Sequence, residues 1–136
     1  MSVALLLITH DTIGSSFFST AVTMMGVSPI ATQNLSITQK MDVEQGVAEA
    51  NRLCHELDEG EGILILTDIM NSTPSNVATK LLENISDGSR IIVTGINLAM
   101  LVRVMNYAGL SLPELAKKAC SCSNDSIFIS VPSPEC

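Results

Sequence analysis

Two side chains, His10 and Asp68, are the strongest candidates for a reactive pair. Each lies just after a short, continuously apolar run, Val3 to Ile8 in one case and Ile63 to Leu66 in the other. A neutral imidazole is a nucleophile at physiological pH. A carboxylate bonded to one ring nitrogen fixes the tautomer, leaves the other nitrogen free to attack phosphorus, and stabilises the positive charge that grows on the ring. The chemistry that this pair favours is therefore acceptance of a phosphoryl group on His10.

A turn-rich segment with several hydrogen-bond donors follows Asp68. Thr73 suits the N-cap of a helix, and Pro74 suits its first helical position. The Thr73 hydroxyl and the amides at this helix start would meet the charge on a transferring phosphoryl group, because helix N-termini favour anions. We assign Thr73 to the catalytic set with His10 and Asp68, while plain capping roles for Thr73 and Asp68 stay open. We also predict phosphate contacts for three polar loop residues. Asn71 and Ser72 stand just before this helix, and Asn97 follows the predicted strand Arg90 to Thr94.

Two other residues receive structural interpretations. Asp11 stands directly after His10 and is predicted to cap the first helix. His55 lies off the apolar stripe of the helix that Asp42 is predicted to cap, so we interpret it as a solvated surface residue.

Alternating strand-like and helix-like segments must position these residues. Apolar or alternating runs predict five strands: Ser2 to Ile8, a short strand around Leu35 and Ile37, Ile63 to Leu66, Arg90 to Thr94 and Ser126 to Val131. Helical stripes and caps predict helices over Ile13 to Met25, Val43 to Leu57 and Pro74 to Ile85, after Asn97, and after Ser111.

Strands separated by helices imply an α/β fold with right-handed crossovers. We predict a three-layer, doubly wound, mostly parallel sheet of flavodoxin-like order 2-1-3-4. The last strand would be a late addition, either antiparallel or paired with another subunit. Ligands bind at the carboxyl ends of strands near the switch point of such a sheet, which is where His10 and Asp68 would meet.

Composition narrows the class of protein. The 136 residues are 46% apolar and 15% charged, which excludes disorder and predicts one domain over residues 1–136. A net charge of −7 argues against nucleic-acid binding and favours a basic protein partner. The mean hydropathy of +0.38 indicates that part of the apolar surface is covered by a second copy. No apolar run approaches the ~20 residues of a membrane span, so we expect a cytoplasmic protein.

The cysteines give no sign of a metal site. Cys120 and Cys122 form a C-x-C pair, but neither a nearby histidine nor a second cysteine pair completes a zinc pattern. Together with Cys54 and Cys136 they are interpreted as reduced, unpaired thiols.

Three other functions are compatible with parts of this pattern. A receiver-like domain would be phosphorylated on Asp68, but it needs an acidic pair after the first strand and a lysine after the fifth. This chain has only Asp11 after the first strand and no lysine after the fifth. A flavodoxin-like electron carrier needs aromatic rings to stack on flavin, and the chain has one Tyr, three Phe and no Trp. The strongest alternative is a regulatory interaction module that performs little or no phosphoryl transfer.

The motifs around the predicted site resemble those of one family. Thr9-His10, Leu66-Thr67-Asp68 with Ser72-Thr73-Pro74-Ser75-Asn76, and Gly95 through Leu101 are similar to motifs of mannose-type enzyme IIA domains. These domains belong to the bacterial phosphoenolpyruvate-dependent sugar phosphotransferase system. The resemblance covers nearly the whole chain and is closest to stand-alone proteobacterial members, which often have regulatory roles.

The resemblance implies a role for each matching residue. His10 would accept a phosphoryl group from the phosphocarrier HPr and pass it to an enzyme IIB or use it as a regulatory signal. Asp68 would orient His10, and Thr73 would contact the histidine or its phosphate. The family commonly forms homodimers that exchange the final strand, here Ser126 to Val131, and it implies no metal or organic cofactor.

Four positions depart from the family pattern. Asp11 stands where the family usually has glycine, and its negative charge would disfavour phosphorylated His10 or change the choice of partner. Asn71 and Ser72 replace small glycines, and Asn71 tolerates a left-handed backbone. Ala99 replaces a proline in the loop after the fourth strand. We expect these changes to affect phosphoryl transfer and partner identity more than the fold.

Overall fold

Four parallel strands form the central sheet of the computed structural model, which describes residues 2–83, 85 and 87–133. The strands are β1 (Ala4–His10), β2 (Thr32–Ile37), β3 (Ile63–Thr67) and β4 (Arg90–Thr94). Their spatial order is β2-β1-β3-β4, as predicted. The two central strands, β1 and β3, are the continuously apolar runs, because a parallel strand covered on both faces has no solvent side for polar residues.

Helices cover both faces of the sheet and complete the three layers. They are α1 (Ile13–Met25), α2 (Val43–Leu57), α3 (Thr73–Lys80), α4 (Leu98–Asn106), α5 (Leu112–Ser121) and the short α6 (Ser123–Ser126). Leu5 and Leu7 of β1 face a core built with α1, α4 and α5, whereas Leu6 and Ile8 face one built with α2 and α3. The predicted α/β architecture is confirmed.

Three predicted helix boundaries need correction. Thr12, not Asp11, is the N-cap of α1, because Asp11 has a φ of +40° and belongs to the preceding turn. Ser72, not Thr73, is the extended N-cap residue of α3, so Thr73 and Pro74 are its first two helical residues. The helix also ends at Lys80 instead of continuing to Ile85, since hydrogen bonds from residue i to residue i−3 tighten the chain there.

The predicted fifth strand does not form within the single chain. Ser126 ends α6, and residues 127–133 belong to no strand. The apolar side chains there are exposed: Ile127 by 71%, Phe128 by 77%, Ile129 by 91% and Val131 by 75%. A strand needs the edge of a sheet as its partner, and this segment lies on neither outer strand, β2 or β4.

No helix among residues 2–83, 85 and 87–133 is long and apolar enough to span a membrane.

Candidate active site

The carboxyl ends of the two central strands bring His10 and Asp68 together. His10 is the last residue of β1, and Asp68 directly follows β3. The His10 Nδ1 atom lies 2.8 Å from the Asp68 Oδ2 atom, and the His10 backbone N–H donates to the same oxygen at 2.8 Å. The other carboxylate oxygen, Oδ1, accepts a hydrogen bond from the Ile69 backbone N–H at 2.9 Å. Both oxygens of Asp68 therefore have fixed partners.

These partners determine the charge state of Asp68 and the tautomer of His10. Burial raises the pKa of the Asp68 carboxyl, but the hydrogen bonds from the His10 backbone, the His10 ring and the Ile69 backbone outweigh burial and lower that pKa. Asp68 is then ionised at neutral pH and can only accept hydrogen bonds. The His10 Nδ1 atom must carry the proton, so in the neutral imidazole the lone pair belongs to Nε2.

His10 is partly exposed and lines a small cavity. The side chain of His10 is 44% exposed, whereas that of Asp68 is 13% exposed. A cavity of about 330 Å³ is lined by His10, Asp11, Ile37, Thr38, Gln39, Met41 and Thr73. None of these described lining residues is a lysine or an arginine. A reacting group in this cavity would have access to the imidazole while Asp68 stays shielded behind it.

Thr73 is the predicted site residue that faces the same cavity. It is the first residue of α3, so its side chain lies at the helix N-terminus. Its hydroxyl makes no hydrogen bond with any described residue of the chain. An unpaired hydroxyl beside a helix N-terminus is available to donate to an anion in the cavity.

The three predicted phosphate contacts do not line this cavity. Asn71 adopts a left-handed φ of +60° in the turn before α3, which fits its place among the turn residues. The Ser72 hydroxyl donates to the Ile69 carbonyl at 2.7 Å. Asn97 caps α4, because its Oδ1 atom accepts from the Met100 N–H at 2.9 Å and its Nδ2 atom donates to the Gly95 carbonyl at 3.3 Å. These side chains shape the loops around the cavity.

Sequence reasoning missed the wall of the cavity that follows β2. Thr38, Gln39 and Met41 line it, and they come directly after the carboxyl end of that strand. The same switch-point rule that selected His10 and Asp68 applies to this strand too. The signal was present in the order 2-1-3-4, which places β2 beside β1.

A close approach between α1 and β1 holds the loop that carries His10. The Gly14 N–H donates to the buried Thr9 hydroxyl at 2.8 Å. A Cβ atom on Gly14 would lie 2.8 Å from that hydroxyl oxygen, closer than real contacts allow. Glycine at position 14 therefore lets the start of α1 close tightly over the residue before His10.

Comparison with known proteins identifies the family. Residues 4–120 match the family model EIIA-man, described as the PTS system fructose IIA component. The chain belongs to this family. It is a phosphocarrier component of the phosphotransferase system, which sets aside the receiver and electron-carrier alternatives. No curated protein matches the sequence.

Solved structures with the same fold include other IIA proteins. The mannose/sorbose-specific IIA subunit from Enterococcus faecalis superposes with a TM-score of 0.85 at 22% identity, over 98% of both chains. The EIIA component from Streptococcus agalactiae has a TM-score of 0.80 at 20% identity, over 93% of this chain and 96% of its own. The IIA protein associated with the fucose utilization operon of Streptococcus pneumoniae has a TM-score of 0.74 at 24% identity, over 95% and 96%. At these identities the likeness shows that the IIA fold is shared.

The three described cysteines do not line the cavity of the IIA site. Cys54 and Cys122 are buried and Cys120 is exposed, while Cys136 lies outside the described residues. Burial raises the pKa of the Cys54 thiol, which keeps it protonated at neutral pH. Within the described part of the chain, no group of three or more His, Cys, Asp or Glu residues is placed to hold a metal ion.

Proposed function

We propose that His10 accepts a phosphoryl group from phospho-HPr on its Nε2 atom and passes it to an enzyme IIB. The observation that carries this proposal is the 2.8 Å contact between His10 Nδ1 and Asp68 Oδ2. Asp68 holds the proton on Nδ1, so the Nε2 lone pair is free to act as the nucleophile, and His10 lines the cavity. The alternative of a regulatory interaction module makes no use of this arrangement.

The transfer step follows from the geometry of the pair. The Nε2 lone pair forms a bond to phosphorus while the bond from phosphorus to the HPr nitrogen breaks, and its electron pair returns to that nitrogen. The imidazole of His10 becomes positively charged, and the Asp68 carboxylate stabilises it through Nδ1–H. The Thr73 hydroxyl at the start of α3 donates to an equatorial phosphoryl oxygen.

Exposed apolar side chains near His10 offer a docking face for these protein partners. Ile13, Ile69 and Met70 are all exposed, and they lie within three residues of His10 or Asp68 in the chain. Exposed apolar groups beside a reactive side chain are typical of a surface that meets another protein. The net charge of −7 favours a partner with a basic surface.

The proposed function is tested by intact-mass measurement after incubation with phosphoenolpyruvate, enzyme I and HPr. We expect one phosphoryl adduct that requires HPr, since the donor is phospho-HPr. Adding an enzyme IIB to the isolated phosphoprotein should then remove the adduct. Absence of any adduct, while a control enzyme IIA is phosphorylated in the same mixture, would contradict the proposal and support the interaction module.

The exposed C-terminal segment supports a proposal about assembly. We infer that residues 127–131 pair with the free edge of β4 in a second copy of the chain. The preceding helix α6 is fixed by the Arg103–Asp125 ion pair at 2.8 Å, so the segment leaves the molecule from a held position. Its β-branched and aromatic residues fit a strand, and pairing would cover side chains that are more than two thirds exposed in the single chain.

Replacing Phe128 and Ile129 with serine is expected to convert a dimer into a monomer at micromolar concentration. The physical reason is the loss of two large apolar side chains from the inferred interface. Light scattering coupled to size-exclusion chromatography measures the mass. The control replaces Val27, an exposed apolar residue just after α1, with serine and should leave the mass unchanged. A wild-type protein that is already monomeric would contradict the inference.

A further inference from the structure

Asp11 places an unpaired carboxylate on the cavity of the proposed phosphoryl site. It directly follows His10 and lines the same cavity as Thr73. The Asp11 N–H donates to the Ile37 carbonyl at 3.1 Å, which fixes the backbone beside β2. The φ of Asp11 is +40°. The side chain is exposed and forms no hydrogen bond or ion pair with any described residue. The negative charge therefore stays near the imidazole without a protein partner.

The described lining of the cavity offers no fixed cation to compensate for this charge. None of the described residues that line the cavity is a lysine or an arginine. Lys40 is exposed in the loop after β2, but only its neighbours Gln39 and Met41 line the cavity. The second carboxylate, Asp68, is occupied by the imidazole and the backbone on the other side of the ring. A phosphoryl group on Nε2 would thus add its negative charge to a cavity that already holds one.

We propose that Asp11 sets the phosphoryl-transfer potential of His10. Its carboxylate raises the free energy of the phosphorylated protein relative to the free protein, because like charges in a partly solvated cavity repel. Loading from phospho-HPr becomes less favourable, and discharge to the acceptor becomes more favourable by the same factor. This inference rests on the proposed function and adds a residue that tunes it. Asp11 acts through its charge and takes no part in forming or breaking the phosphorus–nitrogen bonds.

The test measures the equilibrium constant for transfer between HPr and this protein. Intact-mass spectra give the phosphorylated and free fractions of both proteins once transfer has stopped changing. We expect Asp11→Asn to raise this constant by about 3- to 10-fold at low salt, and the difference from wild type to shrink at roughly 0.5 M salt. The control Glu61→Gln removes one negative charge just before the amino end of β3, whereas the cavity lies at the carboxyl ends of the strands. It should leave the constant unchanged.

A third variant separates charge from backbone conformation. Asparagine tolerates a positive φ much as aspartate does, whereas Asp11→Gly removes both the charge and the conformational restriction. If Asp11→Asn matches wild type and only Asp11→Gly changes the constant, the effect belongs to the backbone and the inference is overturned. A lower constant for Asp11→Asn would also overturn it, since the carboxylate would then stabilise the phosphorylated state.

The outcome distinguishes this inference from the function on which it rests. Normal phosphorylation of wild type with identical constants in all variants would contradict the role of Asp11 but not the assignment of His10 as the acceptor. Absence of phosphorylation in wild type and every variant, with active HPr present, would contradict both the role of Asp11 and the proposed function.

Discussion

His10→Ala is expected to abolish acceptance of a phosphoryl group from phospho-HPr. The change removes the imidazole whose Nε2 atom is the proposed nucleophile, and no other imidazole lines the described cavity. The rate of phosphorylation should fall by about 10³-fold or more, below detection by intact mass in the time that wild type needs for completion. The matched control is His55→Ala, which changes the other histidine of the chain, exposed on α2, and should be phosphorylated like wild type.

The fold should survive this substitution. The side chain of His10 is 44% exposed, so its removal leaves no cavity in either core. Asp68 loses the contact with the ring but keeps the backbone N–H groups of His10 and Ile69. We expect the free energy of unfolding in urea to fall by about 1 kcal/mol. Full phosphorylation of His10→Ala together with its loss in His55→Ala would move the acceptor to α2 and contradict the assignment.

The sheet and its central pair of residues follow from the sequence for a definite physical reason. β1 is apolar from Ala4 to Ile8 and β3 from Ile63 to Leu66, because both faces of each strand are covered. Such runs can be recognised without a structure. Right-handed crossovers then leave few strand orders to consider. Once β1 and β3 are neighbours, the residues after them meet at one edge, which brings His10 to Asp68.

The ends of helices are harder to predict from the sequence, because neighbouring residues are equally suited to the N-cap position. Ser72 and Thr73 are both good N-cap residues, and Pro74 fits either of the first two helical positions. The choice of Ser72 depends on how the loop after β3 closes, including its hydroxyl contact to the Ile69 carbonyl. Asp11 presents the same difficulty, since aspartate is common both at N-caps and in left-handed turns.

The last segment shows a different limit of sequence reasoning. The β-branched and aromatic residues at 127–131 indicate a strand but do not say whose sheet edge it joins. Within one chain the segment leaves α6 and pairs with no strand. A pattern of side chains indicates that residues are buried, but it does not indicate whether the surface that covers them belongs to the same molecule.

Asp68→Asn is expected to slow phosphorylation of His10 by about 10²- to 10⁴-fold while the site remains assembled. The amide is nearly the same size as the carboxylate but carries no charge, so it stabilises the imidazolium less. Where its NH₂ group donates to His10 Nδ1, the ring proton moves to Nε2 and blocks the nucleophile. Single-turnover transfer from phospho-HPr measures the rate, and Glu61→Gln controls for the loss of one charge elsewhere.

The same substitution should change the pH dependence of stability. The folded-state pKa of Asp68 lies below its unfolded value, so its contribution is fully present above the unfolded pKa of about 4. That contribution is lost as pH falls through the folded pKa. Urea unfolding at pH 7 should show Asp68→Asn less stable than wild type by about 1.5–3 kcal/mol, the value typical of hydrogen bonds to a charged group. The difference should decline when both proteins are measured in acid, below the folded pKa.

The two measurements on Asp68→Asn separate catalysis from structure. A carboxylate that only fixes the loop would give the stability loss at neutral pH with an unchanged transfer rate. A carboxylate that also sets the tautomer of His10 gives both effects, and the rate loss persists under conditions where the variant is fully folded. An unchanged rate in the folded variant would therefore contradict the role of Asp68, even if His10 proves to be the acceptor.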